Sequence, residues 1–157
     1  MNPVTLRLAQ YPADTEPLLA LIREYMAWLD VGSCARKLDV ELAHFEALFT
    51  PPSGLFVLAH VGDQLAGCAG LLVHQGTTAE VKRVYVRPAH RGLNLGEALV
   101  RRLMELAPTL NAKHLILDAV ALTTHAQGLY RRMGFTETPP YYANPEPGTR
   151  FFQYHLP

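Results

Sequence analysis

A loop at residues 91–96, RGLNLG, stands directly before a helix-like sequence and offers the clearest chemistry in the chain. The backbone N–H groups in the first turn of a helix have no partner within the helix, and they lie at the positive end of its dipole. A glycine-containing loop that leads into such a helix can therefore hold an anion on its backbone. We interpret residues 91–96 as a cradle for a phosphate or pyrophosphate group.

The segment EVKRVYV, shortly before this loop, reads as an irregular strand. Val81 has an odd residue number, whereas Val84 and Val86 have even numbers. Since alternate residues of a strand face the same side, the series of inward-facing residues must shift by one position around Lys82 and Arg83. One extra residue in a strand has this effect, which predicts a β-bulge. Because bulges redirect backbone N–H groups and are common beside active sites, the strand and the loop together indicate a site.

Several other sites are excluded by their missing signatures. No Gly-Lys-Ser/Thr follows the loop, and a dinucleotide-binding turn would lie in an N-terminal βαβ unit with an acidic residue downstream. The seven histidines show no metal-binding spacing, so we expect no metal. Neither Ser33 nor Ser53 stands in Gly-x-Ser-x-Gly, which argues against a serine hydrolase.

The N-terminal half predicts a strand, two helices and a hairpin. Alternation from Val4 to Gln10 favours a strand whose buried face is Val4, Leu6 and Leu8. The remaining elements are a helix capped by Asp14 or Thr15, a loop from Gly32 to Lys37, a second helix capped by Asp39 with Leu42, Phe45 and Phe49 in its stripe, and apolar strands Leu55 to Val61 and Leu65 to Val73 around a Gly62-Asp63 turn.

The C-terminal half continues the alternation of strands and helices. After the bulged strand and the loop we expect a helix with Leu95, Leu99, Leu103 and Leu106 inward, a strand from His114 to Val120, a short helix capped by Thr123 or Thr124 and ended by Gly134, and a last strand from Arg150 to Leu156. The order β-α-α-β-β-β-α-β-α-β predicts an α/β fold with a mixed sheet covered by helices.

Composition sets the class of protein. A length of 157 residues, with 49% hydrophobic and 18% charged residues, predicts one globular domain over residues 1–157. Fourteen Lys and Arg balance fourteen Asp and Glu, so we expect neither nucleic acid nor a membrane as partner. Cys34 and Cys68 are too few for a disulfide framework, and no apolar run approaches the roughly 20 residues of a membrane span. We therefore expect a soluble cytoplasmic protein.

Two segments carry a resemblance to a known family. RGLNLG resembles the Arg/Gln-x-x-Gly-x-Gly/Ala acetyl-coenzyme A loop of the GNAT N-acetyltransferase superfamily, and AQGLYRRMGF at residues 126–135 resembles that superfamily's late helix, which ends in Leu-Tyr-x-x-x-Gly-Phe. The two motifs occur in the right order with a strand between them. The central glycine of the loop is Asn94 here, and Asn tolerates the left-handed conformation better than other non-glycine residues.

The resemblance implies a mostly antiparallel mixed sheet and direct acetyl transfer from acetyl-CoA to an amine. It gives Glu80 the role of the base that deprotonates the amine, Tyr130 that of the proton donor to the leaving thiolate, and the Val84 N–H a place at the thioester oxygen. It assigns cofactor binding to Val84, Tyr85, Val86, Arg91, Gly92, Leu93, Asn94, Leu95, Gly96, Glu97, Thr123 and Tyr130.

Simpler interpretations of single residues stay open at this point. Glu80 is also compatible with a surface ion pair and Tyr130 with core packing, while Asp118 suits a structural hydrogen-bond acceptor and Cys68 a core position. The resemblance places the acceptor cleft at Tyr25, Trp28, Arg36, Lys37, His74, Tyr141 and Tyr142. Arg36 and Lys37 would suit a carboxylate, and the aromatic rings a flat or apolar group.

The expected acceptor is the amine of a small molecule. A protein N-terminus or lysine is the alternative acceptor, and a non-catalytic module that binds or senses acyl-CoA is the alternative class of function. A homodimer is left open.

Overall fold

The computed structural model describes residues 2–29, 35–143 and 146–157 and shows a seven-stranded sheet with helices on both faces. The strands are β1 (Val4–Leu8), β2 (Gly54–Val61), β3 (Gln64–Val73), β4 (Thr78–Val86), β5 (His114–Ala119), β6 (Thr136–Glu137) and β7 (Arg150–His155). The helices are α1 (Thr15–Leu29), α2 (Ala35–Ala43), α3 (Phe45–Leu48), α4 (Leu95–Leu106) and α5 (Thr124–Arg132), and 3-10 turns cover Pro88–His90, Ala107–Leu110 and Ala121–Thr123.

The strand order is β1-β2-β3-β4-β5-β7-β6, and every neighbouring pair is antiparallel except β4 and β5. This confirms the predicted mixed, mostly antiparallel fold. The parallel ladder between β4 and β5 joins only Thr78–Glu80 to His114–Ile116. Beyond that point β4 stays paired with β3, and β5 stays paired with β7. The sheet therefore opens into a wedge between the C-terminal ends of β4 and β5.

The hairpin of β2 and β3 lies at the centre of two hydrophobic clusters. Leu55 and Val57 belong to the cluster that contains the buried residues of α4, whereas Phe56 and Leu58 belong to the cluster that contains those of α1. Successive residues of a strand point to opposite faces, so a strand that is covered on both sides must be apolar throughout. The prediction that both hairpin strands are buried on both faces is confirmed.

The predicted bulge in β4 is present. Cys68 pairs with Tyr85 and Gly70 with Lys82, so the register between β3 and β4 shifts by one residue between these pairs. Arg83, inside the shifted segment, has a φ of +56°, in the left-handed region that non-glycine residues rarely adopt. The backbone of β4 is thus redirected where the sheet opens. Cys68 is buried in the core as predicted, and its thiol hydrogen-bonds to the Arg83 carbonyl.

Two helices replace the single second helix that the sequence predicts. The expected N-cap, Asp39, lies inside α2, which begins at Ala35, so that prediction is wrong. His44 leaves the helical backbone conformation and separates α2 from α3. Glu41 ties α2 to two cations of β4, a long-range contact that local capping signals do not encode. Residues 32–34 of the predicted loop lie outside the described residues.

The first strand also differs from its prediction. Val4 and Leu8, expected on a buried face, are 45% and 42% exposed. The reason is position, because β1 is the edge strand and pairs only with β2. The two-residue strand β6, which pairs with β7, carries too short a pattern to be predicted.

Candidate active site

A cavity of about 710 Å³ occupies the wedge between β4 and β5. Its wall combines residues of α1, β4, the loop before α4, β5 and α5. Among the predicted site residues, the wall includes Glu80, Val84, Tyr85, Val86, Arg91, Gly92, Asn94, Leu95, Gly96, Glu97, Thr123 and Tyr130. Leu93 is absent from the wall, and it is 48% exposed.

The loop before α4 forms one end of this cavity. Asn94 is the N-cap residue of α4 and adopts the left-handed conformation, with φ +57° and ψ +30°. Gly92 also has a positive φ, +89°, and a Cβ placed there would have no other atom within 4 Å. The chain thereby turns sharply into α4, and the first-turn residues Leu95, Gly96 and Glu97 line the cavity. The N–H groups of a first turn have no partner within the helix, as an anion cradle requires. Arg91 closes the side of this end, with its guanidinium 5.3 Å from the ring centre of Trp28.

Glu80 lies in β4 at the last paired position of the ladder with β5. Its side chain is 12% exposed, Oε1 lies 2.8 Å from Nε2 of His74, and Oε2 accepts a hydrogen bond of 3.2 Å from the Tyr141 hydroxyl. Burial alone would raise the pKa of this carboxyl, but the His74 hydrogen bond, the Lys82 charge and the Tyr141 hydroxyl outweigh it and lower the pKa. Glu80 is therefore ionised at neutral pH and can accept a proton.

Asp118, on β5, is another carboxylate in the cavity wall. It accepts a hydrogen bond from the Tyr142 hydroxyl, which agrees with the structural role expected for it. Burial and the nearby charge of Glu80 raise its pKa, so the two carboxyls are pushed in opposite directions. The neighbouring Tyr141 and Tyr142 thus contact both carboxylates from one loop.

Tyr130, on α5, is buried, with only 6% of its surface exposed, and still lines the cavity. Its ring packs against Phe135 and Phe152. Burial raises the pKa of the phenol, so Tyr130 keeps its proton at neutral pH and its hydroxyl is a hydrogen-bond donor. Core packing and access to the cavity are therefore combined in one residue.

Thr123 occupies the N-cap position of α5, but its hydroxyl makes no cap. It donates a 2.7 Å hydrogen bond to the Val120 carbonyl instead. The residue predicted to cap α5 thus has the right position, and its side chain turns back to the preceding strand end.

The acceptor residues expected from the sequence fall into three groups. Tyr25 and Trp28 line the cavity from α1, while His74, Tyr141 and Tyr142 surround the two carboxylates. The side chains of residues 36 and 37, the predicted carboxylate-binding pair, lie outside the described part of the structure.

The predicted site omits Lys82, Arg83 and Glu41. Lys82 and Arg83 line the cavity from β4, and Glu41 of α2 pairs with both. Strand parity could have indicated Lys82, which is two residues from Glu80 and on the same side of a regular strand. No signal in the sequence places Glu41, because its partners are 41 and 42 positions away.

Comparisons with known proteins agree with this geometry. Residues 18–135 match the acetyltransferase (GNAT) family. An uncharacterised N-acetyltransferase of Schizosaccharomyces pombe is 30% identical over 155 residues, which cover 98% of this chain and 95% of that protein. In structure, the chain is similar to a GNAT-family acetyltransferase of Staphylococcus aureus, with a TM-score of 0.79, 19% identity and coverage of 99% of this chain and 100% of that one.

A second similar structure is the PaiA N-acetyltransferase of Thermoplasma acidophilum in complex with coenzyme A. It has a TM-score of 0.73 and 17% identity, and the match covers 98% of this chain and 99% of that one. Since the family match spans most of its length, this chain belongs to the GNAT family and is an acetyltransferase.

The described residues lack two further kinds of feature. Within ranges 2–29, 35–143 and 146–157, no helix is long and apolar enough to cross a bilayer. Over the same residues, no group of three or more His, Cys, Asp or Glu side chains is placed to hold a metal ion.

Proposed function

We propose that this protein transfers the acetyl group of acetyl-CoA to the primary amine of a small molecule, by direct attack while both substrates are bound to one domain. The observation that carries the proposal is that one cavity joins the loop at residues 91–96 to Glu80 and Tyr130. A site that binds an anionic carrier at one end thus holds a proton acceptor and a proton donor along the same wall.

The described residues fit acetyl-CoA. Backbone N–H groups from Gly92 to Glu97 would hold its pyrophosphate, and the left-handed Asn94 keeps the turn that exposes them. Val84, Tyr85 and Val86 would bind the pantetheine arm, because β4 no longer pairs with β5 at this level and its edge borders the cavity. Gly92 has no side chain, and no other atom lies within 4 Å of the position that its Cβ would take, so a ligand has room to approach the backbone there.

The chemistry requires a neutral amine, and alkylamines are mostly protonated at pH 7. Acetyl-CoA supplies a thioester whose carbonyl carbon becomes bonded to the amine nitrogen as the C–S bond breaks. Glu80, ionised and open to the cavity, takes the proton that the nitrogen loses. His74 lies 2.8 Å from Glu80 and is 44% exposed, so it connects the carboxylate to solvent.

The leaving sulfur and the thioester oxygen also need partners. Tyr130 holds a proton that it can donate to the departing thiolate. The bulge at Arg83 supports a role for the following N–H, that of Val84, as hydrogen-bond donor to the oxygen on which negative charge develops.

Two measurements test the proposal. Acetyl-CoA at about 100 times its dissociation constant should stabilise the fold by about 2.7 kcal/mol, because binding to the native state shifts the unfolding equilibrium. Free thiol should then appear when acetyl-CoA is incubated with small primary amines. A thermal melt that millimolar acetyl-CoA leaves unmoved would contradict the proposal.

The other outcomes identify the alternatives. Stabilisation by CoA without transfer to any amine would indicate a module that binds or senses acyl-CoA. Transfer only to peptide N-termini or lysines would indicate a protein acetyltransferase.

A further inference from the structure

A pair of cations lies in the bulge of β4, beside Glu80. Lys82 Nζ and Arg83 Nη2 are each 2.9 Å from the same oxygen, Oε2, of Glu41. Consecutive residues of a regular strand would point to opposite faces, but the left-handed backbone at Arg83 brings both side chains to one carboxylate. Glu41, which lies on α2, thus holds the two cations together.

Within the described part of the chain, two polar atoms of this cluster lack a hydrogen-bond partner. Two cations share one carboxylate, while the side chains of Lys82, Arg83 and Glu41 are only 17%, 12% and 5% exposed. Nε of Arg83 and Oε1 of Glu41 are buried without a hydrogen-bond partner among the residues that the structure describes. Buried charged groups are normally paired and fully hydrogen-bonded. Lys82 and Arg83 line the cavity, and the Lys82 ammonium has N–H donors beyond the one that contacts Glu41, so the pair suits an anion that enters from the cavity.

Opposite charges lie next to this pair in the same cavity wall. Glu80 and Asp118 form an acidic pair, and Lys82 follows Glu80 by two residues, or about 7 Å along a strand. All three residues line the one cavity, and the charge of Lys82 lowers the pKa of both carboxyls. The cavity therefore presents a negative and a positive position side by side.

We infer that the acceptor is a zwitterion, an amino acid whose amine lies at Glu80 and Asp118 and whose carboxylate lies at Lys82 and Arg83. With hydrogen bonds of about 3 Å at each end, an α- or β-amino acid spans adjacent positions of this kind. An amine without an acidic group would leave the basic pair without its anion, and a diamine would bring a second cation against it. The inference rests on the proposed function and names its substrate class.

The test compares each L-amino acid of a panel with its own amide, which keeps the amine and the side chain but lacks the carboxylate. Acids should be acetylated with kcat/KM at least about tenfold above that of their amides, the ratio that one charge-assisted hydrogen bond supplies. The amine of an amide is less basic and therefore more often unprotonated, so amine basicity would favour the opposite order. A binding measurement accompanies it: in the presence of CoA, the acids should raise Tm more than the amides.

Variants connect this preference to the basic pair. Lys82→Gln and Arg83→Asn should each reduce the ratio of acid to amide about tenfold, and Asn suits the left-handed backbone at position 83. The Tm shift caused by CoA alone should stay as in the wild type. Arg102→Gln removes a cation that pairs with Glu105 on the outer part of α4 and serves as the matched control, with an unchanged ratio.

The outcomes separate this inference from the proposed function. Wild-type enzyme that acetylates amides as well as acids, or variants that keep the full preference, would overturn the zwitterion and leave the acetyl transfer intact. If no amine is acetylated, the proposed function fails, and the Tm comparison then decides the inference. A shift specific to the acids would retain the zwitterion as a ligand of this site, and equal shifts would refute it, even where a variant does not fold.

Discussion

At the loop end of the cavity the wall presents mainly backbone groups, whereas at the Glu80 end it presents charged side chains. The loop end depends on the conformations of Gly92 and Asn94 and on the first turn of α4. The other end is formed by Glu80, Lys82 and Arg83 of β4 together with Asp118 of β5. Backbone donors recognise a phosphate whatever the neighbouring side chains are, so the first end suits a constant ligand. The second end can change its specificity by single substitutions.

The largest effect is expected from Glu80→Gln, at the charged end of the cavity. We expect turnover at neutral pH to fall about 100-fold or more, because the amide cannot accept the ammonium proton. Activity should recover in part at high pH, where free amine is abundant. The dissociation constant of CoA, measured by calorimetry, should stay unchanged because Glu80 lies outside the loop end. A wild-type rate in this variant would mean that the amine loses its proton to solvent.

Tyr130→Phe removes one hydroxyl and keeps the ring that packs on Phe135 and Phe152. We expect the rate of thiol release to fall at least about tenfold, since the thiolate then leaves without a proton donor. Circular dichroism and the CoA-induced Tm shift serve as controls for folding and binding. Full activity would assign Tyr130 to the core alone.

The loop end is tested by a matched pair of substitutions at Asn94. Asn94→Val should strain the left-handed backbone by about 1 kcal/mol or more and weaken CoA binding about fivefold or more, whereas Asn94→Gly should preserve or tighten it. Titration of CoA into both variants measures the effect. Equal affinities would show that the backbone conformation at this position does not control the cradle.

The smallest expected effect lies outside both ends, at Asp14. Its carboxylate accepts two hydrogen bonds from Arg7, of 2.6 and 2.8 Å, and this contact is the main cause of its depressed pKa, about 2. The folded-state pKa is lowered, so the contribution to stability is present above about pH 4 and is lost as the pH falls toward 2. Because Arg7 is 46% exposed, solvent screening reduces that contribution to about 1 kcal/mol.

Asp14→Asn should therefore lower the free energy of unfolding by about 1 kcal/mol at pH 7 and change neither CoA binding nor turnover. Urea melts at pH 7 and near pH 2 measure the difference, which should shrink at the lower pH. Glu105→Gln removes an exposed carboxylate on α4 and provides the control. A loss of activity in Asp14→Asn would indicate that α1 and the cavity are coupled.

The loop end could be predicted from the sequence because its information is contiguous. The slip in parity between Val81 and Val84 encodes the bulge, and Asn94 fits the one conformation that the turn allows. The short helix with Tyr130 is encoded in the same way. These features depend on the backbone and on neighbours in the chain, which a sequence shows directly.

The Glu80 end could be predicted only in part. His74 and Tyr141 were expected near the acceptor, but their hydrogen bonds to Glu80 depend on how three strands and a loop meet. The contact between Glu41 and Arg83 is set by the packing of α2, whose start was also predicted wrongly. Such contacts have no local pattern, because tertiary packing decides them.

The short ladder between β4 and β5 has a mechanical consequence. Among the described residues, the ladder between the N-terminal four strands and the C-terminal three has only three register pairs, Thr78 to Glu80 with His114 to Ile116. The few hydrogen bonds between β4 and β5 hold these strands together less strongly than the longer ladders hold β3 to β4 and β5 to β7. Thermal opening of the sheet should therefore start between β4 and β5. A carrier molecule seated along the edge of β4 would bridge the two halves. Deuterium should consequently enter the amides of Val84 and Val86 more slowly when the carrier is bound.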